Sequence, residues 1–258
     1  MLKRATAEDL SQIKEICKGS IIGTKILCFV SAYGFERDFL EVWVMLDGDV
    51  ITAVMTKFYD DISLLMTDEA DKEQLSAFLC MFSFNTLTCK AEVCELLGFK
   101  ADEVKNGYIY ADKSTDLTCD TLEEDDYSDA YKLISREIPD SFGSSREAYL
   151  SFLSDFTFRK RRNLARGVCT HTDGILSSVA LTSSETDESA IISGVACDRS
   201  LQKKGLGKRT VMSVVNSLKN EGKEVYVIAL NKKAEGFYEH IGFTKTEQIA
   251  FVERKNYV

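Results

Sequence analysis

The chain has 258 residues, 45% of them hydrophobic and 28% charged, enough apolar content for one large core or two cores of about half that size. Its formal charge of -9, from 41 acidic against 32 basic residues, excludes a nucleic-acid binder that works by general attraction to phosphate, which needs clustered Lys and Arg. MLKRATAEDL holds no apolar leader segment and no stretch approaches the roughly 18 apolar residues of a membrane span, so the expectation is a cytoplasmic protein with no membrane partner.

LKRATAEDLSQIKEI (2–16) predicts a short extended piece and then a helix, with Thr6 as N-cap and Glu8 and Asp9 as favourable first-turn carboxylates. EVWVMLDGDVITAVMTKFY (41–59) predicts a hairpin turning at Asp47-Gly48, and DISLLM (61–66) the next strand. TDEADKEQ follows, with Asp68, Glu69, Asp71 and Glu73 against one lysine and no glycine. AEVCELLGFKADEVKNGYIYAD (91–112) then reads as a short helix stopped by Gly98-Phe99, a polar turn and a strand.

The pattern restarts at LTCDTLEEDDYSDAYKLI (117–134), with Thr121 as N-cap ahead of Glu123 and Glu124. REIPDSFGSSREAYLSF, which holds the only proline, Pro139, reads as a loop entering a helix that includes YLSFLSDF (149–156). The run Arg159-Lys160-Arg161-Arg162 reads as a solvated basic face. In 163–184 two strands turn at His171-Thr172-Asp173-Gly174, which leaves His171 exposed, and Glu185, Asp187 and Glu188 read as a solvated polar turn. SAIISGVAC (189–197) is an apolar strand, SLQKKGLGKRT (200–210) joins it to a helix starting near Gly207, and Val211, Val214, Val215 and Leu218 share one face of that helix. EVYVIAL (224–230) is a further strand. AEGFYEHIGFTKTEQIAFVER (234–254) ends the chain as 91–112 ended the first stretch.

Two similar beginnings and two similar ends imply two copies of one mixed α/β fold, 1–113 and 114–258. The eight cysteines form no CxxC pair and the only histidines are His171 and His240, so no structural zinc motif is expected, no metal is expected, and the thiols read as reduced core residues.

The turn 200–210 leaves the first N–H groups of the following helix unpaired and partly positive, a place for an anion. Gly205 and Gly207 offer positive φ and close backbone approach, and Lys203, Lys204 and Lys208 add charge. A Walker loop fails, because Gln202 stands where its first glycine belongs and Arg209 where Ser or Thr belongs. A dinucleotide fingerprint fails at Thr210.

Gln202, Gly205 and Gly207 fit Gln/Arg-x-x-Gly-x-Gly/Ala, and Asn231, Ala234, Phe237, Tyr238, Gly242 and Phe243 fit Asn-x-x-Ala-x-x-aromatic-Tyr-x-x-x-Gly-Phe downstream. In both motifs the chain from about 117 to 258 resembles the GNAT N-acetyltransferase superfamily. The resemblance implies two tandem GNAT-like domains, each a mixed, mainly antiparallel sheet flanked by helices, and transfer of an acetyl group from acetyl-CoA to a small-molecule or peptide amine by direct attack. It also implies a site. The backbone of Val195, Ala196 and Cys197 would pair with the pantetheine arm, with the Val195 N–H as oxyanion donor. Gln202, Lys203, Lys204, Gly205, Leu206, Gly207 and Lys208 would hold the pyrophosphate; Asn231, Ala234 and Phe237 would border the cofactor; Tyr238 would be the general acid.

Where many relatives place a basic glutamate, this chain has Ile191, so no base is assigned. In the first copy, the carboxylates of TDEADKEQ oppose pyrophosphate and Cys94 stands where Tyr238 stands in the second, which implies a degenerate half without a cofactor loop. The alternative is a non-catalytic acyl-CoA-binding or sensor protein. No nucleic acid is expected as a partner, and the chain is expected to be a monomer or homodimer.

Overall fold

Apolar residues bury alternate positions over most of 40–47 and continuous runs in 50–58 and 61–66, so the latter two are covered on both faces, and the three segments become consecutive antiparallel strands. The computed structural model describes residues 1–112, 116–139 and 142–253. In chain order the first elements are β1 (Leu2–Arg4), α1 (Leu10–Cys17), α2 (Ile21–Tyr33), β2 (Leu40–Asp47), β3 (Val50–Phe58), β4 (Asp61–Met66), α3 (Lys72–Cys80), β5 (Thr86–Lys90), α4 (Ala91–Leu96) and β6 (Glu103–Tyr110). There follow β7 (Asp120–Thr121), α5 (Tyr127–Glu137), α6 (Arg146–Lys160), β8 (Gly167–Thr172), β9 (Ile175–Glu185), β10 (Ser189–Cys197), α7 (Leu206–Asn220), β11 (Glu224–Ile228), α8 (Lys232–His240) and β12 (Phe243–Glu253). Among the described residues no helix is long and apolar enough to cross a membrane.

The chain forms two compact units. The first comprises Met1–Tyr108, Ala229–Gly236 and the residues from Lys245 onward; the second comprises Ile109–Ile228 and Phe237–Thr244. The expected cut between 113 and 114 lies outside the described residues.

In the first unit the strand order is β1-β2-β3-β4-β5-β12-β6. All neighbours with a recorded register are antiparallel except β4 and β5, which run parallel over Asp61–Ser63 and Thr86–Thr88. The C-terminal strand β12 pairs with β5 from Ile249↔Lys90 to Glu253↔Thr86. One core layer gathers Ile62, Leu64, Leu75, Leu79, Leu87 and Cys89, all essentially without solvent contact. Thr6 and Asp9 close a capping box ahead of α1, the Asp9 carboxylate accepting from the Thr6 N–H at 2.9 Å. The first hairpin turns at Gly48-Asp49, between the paired Asp47 and Val50, one residue later than expected.

The second unit carries the order β11-β10-β9-β8-β7, parallel only between β10 and β11. Its core packs α5 and α6 over the sheet through Leu122, Tyr127, Ile134, Phe156, Val179 and Ala196. Asp173 (φ 52°) and Gly174 (φ 75°) form the two-residue turn of the β8–β9 hairpin, while His171 and Thr172 belong to the strand.

Three expectations change here. Thr121 lies in β7, and the cap ahead of α5 is Glu123, boxed with Asp126. The Arg159–Arg162 run is not a uniform solvated face: Arg159 is buried against Asp155 and the Ser183 carbonyl, and Lys160 donates to the Leu122 carbonyl and lies 5.4 Å from the Tyr127 ring centroid. Glu185 is fully buried at the end of β9, where Arg166 and Lys223 (2.8 Å) pair with it, so it is no solvated turn carboxylate.

Candidate functional site

The parallel ladder between β10 and β11 runs from Ser189↔Glu224 to Ile192↔Val227 and stops there, while β10 continues to Cys197. Ser193–Cys197 therefore has no β11 partner along that edge, and its backbone groups there are available to an extended ligand. On the other edge the β9 register shifts between Ser193 and Ala196, a bulge centred on Gly194 with φ 54°. A Cβ at Gly194 would come within 3.1 Å of Leu181 Cδ1 and 3.3 Å of Ile134 Cδ1, so glycine is required there for both backbone and packing. An isolated glycine within an apolar strand is the sequence signal for such a bulge, and the reading of 189–197 as a regular strand missed it.

After Cys197 the chain makes a single turn, Arg199–Leu201, capped by Asp198, which accepts from the Ser200 N–H at 2.9 Å. Two ion pairs fasten this turn to the end of α5: Arg136 to Asp198 at 2.8 Å and Arg199 to Glu137 at 3.0 Å. Gln202 folds back so that its amide donates to the Cys197 carbonyl at 3.2 Å. Lys203 (φ 64°) and Gly205 (φ 83°) both occupy the left-handed region, and Gly205 is the N-cap residue of α7. Gly207, expected to use positive φ, instead lies in the right-handed first turn of α7. Its missing Cβ is what matters, since that position meets only Phe237 Cζ, at 4.0 Å.

The first-turn amides of α7 have no acceptor within the helix, and its dipole places partial positive charge there. The Gly207 N–H faces the Cys197 sulfur. Lys203, Lys204 and Lys208 have no ion-pair partner among the described residues, so three full positive charges flank the start of α7. Burial pushes the Cys197 thiol up, which is the wrong direction for a nucleophile.

Asn231 caps α8 through its Oδ1, which accepts from the Ala234 N–H at 3.0 Å, and so fixes the start of the helix that carries Phe237 and Tyr238. Asn231 and Ala234 group with the first unit; Val195–Cys197, Gln202–Lys208, Phe237 and Tyr238 group with the second. Tyr238 is buried between Phe237 (centroids 5.3 Å) and Phe243 (5.5 Å). Its hydroxyl has no hydrogen-bond partner among the described residues, and burial holds the phenol above its ordinary value, hence protonated at neutral pH. Ile191 is buried in β10 opposite Tyr226 and offers no proton acceptor.

The fold is similar to that of solved GNAT acetyltransferases. The chain is similar to an acetyltransferase from the GNAT family of Colwellia psychrerythraea, with 14% identity and a TM-score of 0.61, covering 99% of this chain and 100% of that one. It is similar to a GCN5-related N-acetyltransferase from Sphaerobacter thermophilus, with 14% identity and a TM-score of 0.62 over 97% and 94% of the two chains. A tandem GNAT protein from the clavulanic acid biosynthesis pathway matches with 12% identity and a TM-score of 0.59 over 97% of both chains. More narrowly, residues 174–252 match the family described as FR47-like protein, a span that contains β10, the loop, α7 and α8. No curated protein matches the chain in sequence.

Proposed function

We propose that the chain is an acyl-CoA-dependent N-acetyltransferase whose single active site lies on the β10–α7 connection. The observation that carries this reading is the strand edge Ser193–Cys197, freed from β11 beyond Ile192, leading directly into a glycine-capped and lysine-flanked helix N-terminus. A pantetheine amide chain fits such an edge as a further strand, and a pyrophosphate fits the first turn of α7. Gln202, Lys203, Lys204, Gly205, Leu206, Gly207 and Lys208 hold the phosphates, with Phe237 bordering the nucleotide arm.

In the reaction, the neutral amine of the acceptor attacks the thioester carbonyl, and the Val195 N–H donates to the oxygen as it gains charge. The C–S bond then breaks, the departing thiolate takes the Tyr238 proton, and the proton lost by the new amide nitrogen passes to solvent, from which Tyr238 regains one before the next turnover. A phenol can donate to a thiolate because its ordinary pKa of about 10 exceeds that of a thiol at about 8.5; burial of Tyr238 keeps the proton in place until sulfur becomes basic. With Ile191 at the position of the usual base, the acceptor amine reaches the site already neutral.

The test measures CoA release from acetyl-CoA across a panel of polyamines, aminoglycosides, amino acids and peptide N-termini, with CoA binding followed by calorimetry. Tyr238→Phe is expected to lower kcat by roughly 10²-fold or more while leaving the acetyl-CoA KM close to the wild-type value. Equal turnover in the two proteins would remove Tyr238 as the acid. Tight CoA binding with no release on any amine would favour a sensor over an enzyme.

A further inference from the structure

Outside this site the second unit brings together one histidine, one thiol and one carboxylate with no role in the chemistry above. Cys169 and His171 are at i and i+2 of β8 and so project from the same face of the strand. Asp126 ends the single turn Glu124–Asp126 that leads into α5, and the ligand atoms of all three residues lie within 4.8 Å of one another. His171 Nε2 is 3.1 Å from Asp126 Oδ1, and Cys169 Sγ is 3.8 Å from Asp126 Oδ2.

A tetrahedral Zn²⁺ with bonds of about 2.0 Å to N and O and about 2.3 Å to S sets its ligand atoms roughly 3.3–3.8 Å apart. The histidine and the thiol meet different oxygens of the one carboxylate, and with a single ligand atom taken from each residue the three still lie within 4.8 Å of one another, close enough for a metal to draw them together. A second carboxylate stands close by: Asp120 in β7 is the register partner of Cys169 in β8. His171 also borders a cavity of about 200 Å³ lined by Asp120, Thr170 and Arg209, which opens the histidine to solvent.

We propose that Asp126, Cys169 and His171 form a Zn²⁺ site. Binding places the Nε2 lone pair, a carboxylate oxygen and the Cys169 thiolate on the metal, with the thiol proton released to solvent and the remaining imidazole proton on Nδ1. The absence of any CxxC or HxxxH spacing is no obstacle, because the ligands come from two elements 43 residues apart in sequence and meet only through the fold.

The experiment uses the full chain, freed of metal by a chelator and titrated with Zn²⁺ against a chromophoric competitor, and in parallel with Co²⁺. One equivalent is expected to bind, with a thiolate-to-cobalt charge-transfer band that Cys169→Ser abolishes and Cys80→Ser, at an exposed thiol, leaves intact. His171→Ala, at an exposed position that tolerates truncation, is expected to weaken Zn²⁺ binding by more than the roughly 10-fold to 100-fold typical of losing an outer-shell partner. No saturable binding at one equivalent, a band that survives Cys169→Ser, or wild-type affinity in His171→Ala would each overturn the assignment. Should Cys169→Ser fail to fold, the His171→Ala titration decides alone.

Discussion

Replacing Gly207 by alanine separates stability from cofactor binding. In α7 this residue has ordinary helical backbone, and the added Cβ meets nothing closer than Phe237 Cζ at 4.0 Å. Alanine in a helix is favoured over glycine by up to about 1 kcal/mol, so the free protein should be unchanged or rise by about 2–4 °C in Tm. The motif that Gly207 fits admits alanine at this position, so the added methyl group is expected to crowd a phosphate on the first turn of α7 by tenfold in CoA affinity at most, which corresponds to about 1.4 kcal/mol. At a CoA concentration of about 100 times the wild-type Kd, bound ligand stabilises the wild type by about 2.7 kcal/mol and the variant by about 1.4 kcal/mol. The CoA-induced rise in Tm should therefore fall from roughly 5–11 °C to roughly 3–6 °C, although the ligand-free variant melts no lower than wild type. Thermal unfolding with and without CoA, together with direct calorimetry, makes the comparison. An unchanged CoA-induced shift would show that no phosphate approaches Gly207, and a ligand-free loss of more than about 2 kcal/mol would show that the space above it is not open.

At Gly194, alanine is expected to act in the opposite way. Positive φ and contacts of 3.1 Å and 3.3 Å with Leu181 and Ile134 should together destabilise the protein by about 1–3 kcal/mol in urea unfolding, and a loss under about 0.5 kcal/mol would contradict the bulge geometry. Glu221 supplies a pH test. Hydrogen bonds from Arg166, and then from Lys223, lower its pKa from 4.5 to about 2, despite some burial acting upward. A depressed carboxylate contributes stability above its unfolded value that is lost as pH falls through the folded value. The stability gap between wild type and Glu221→Gln should therefore be full at pH 6 and close between about pH 4.5 and pH 2. A gap that persists to the acid end of that window would place its origin outside this ion pair.

Most elements were legible because local rules decide them. Apolar runs broken at an Asp-Gly pair marked β2, β3 and β4, apolar helical spacing marked α7, and a second Asp-Gly marked the β8–β9 turn. Local rules also explain the smaller errors. Thr121 and Glu123 both have side-chain acceptors that suit a cap, and the pairing of Asp120 and Thr121 with β8 claimed the threonine for a strand. What the sequence could not reveal depends on contacts distant along the chain. Glu185 resembles any acidic turn residue until Arg166 and Lys223 close on it, and Arg159 resembles its exposed basic neighbours until Asp155 and Ser183 bury it. The choice of β5 as partner for β12 is of the same kind, since nothing in 243–253 names residues 86–90.

The first unit shows why one β-loop-α connection is suited to an anion and a similar one is not. There too a strand pairs in parallel only at its start, β4 with β5 over Asp61–Ser63, and runs on to Met66 before a loop and a helix. But the register of β3 on β4 is unbroken from Ala53↔Met66 to Phe58↔Asp61, so β4 lacks the bulge that Gly194 provides in β10. At the helix itself, Asp71 caps α3 with its own carboxylate, accepting from the Gln74 N–H at 2.9 Å. That side chain supplies a carboxylate where the first turn of α7 meets only the Cys197 sulfur, and replacing it would free the amides yet leave Asp68, Glu69 and Glu73 around them. The difference between the units thus lies less in a missing glycine than in an anion site already filled from within, and a cofactor loop could not be restored there by inserting glycines alone.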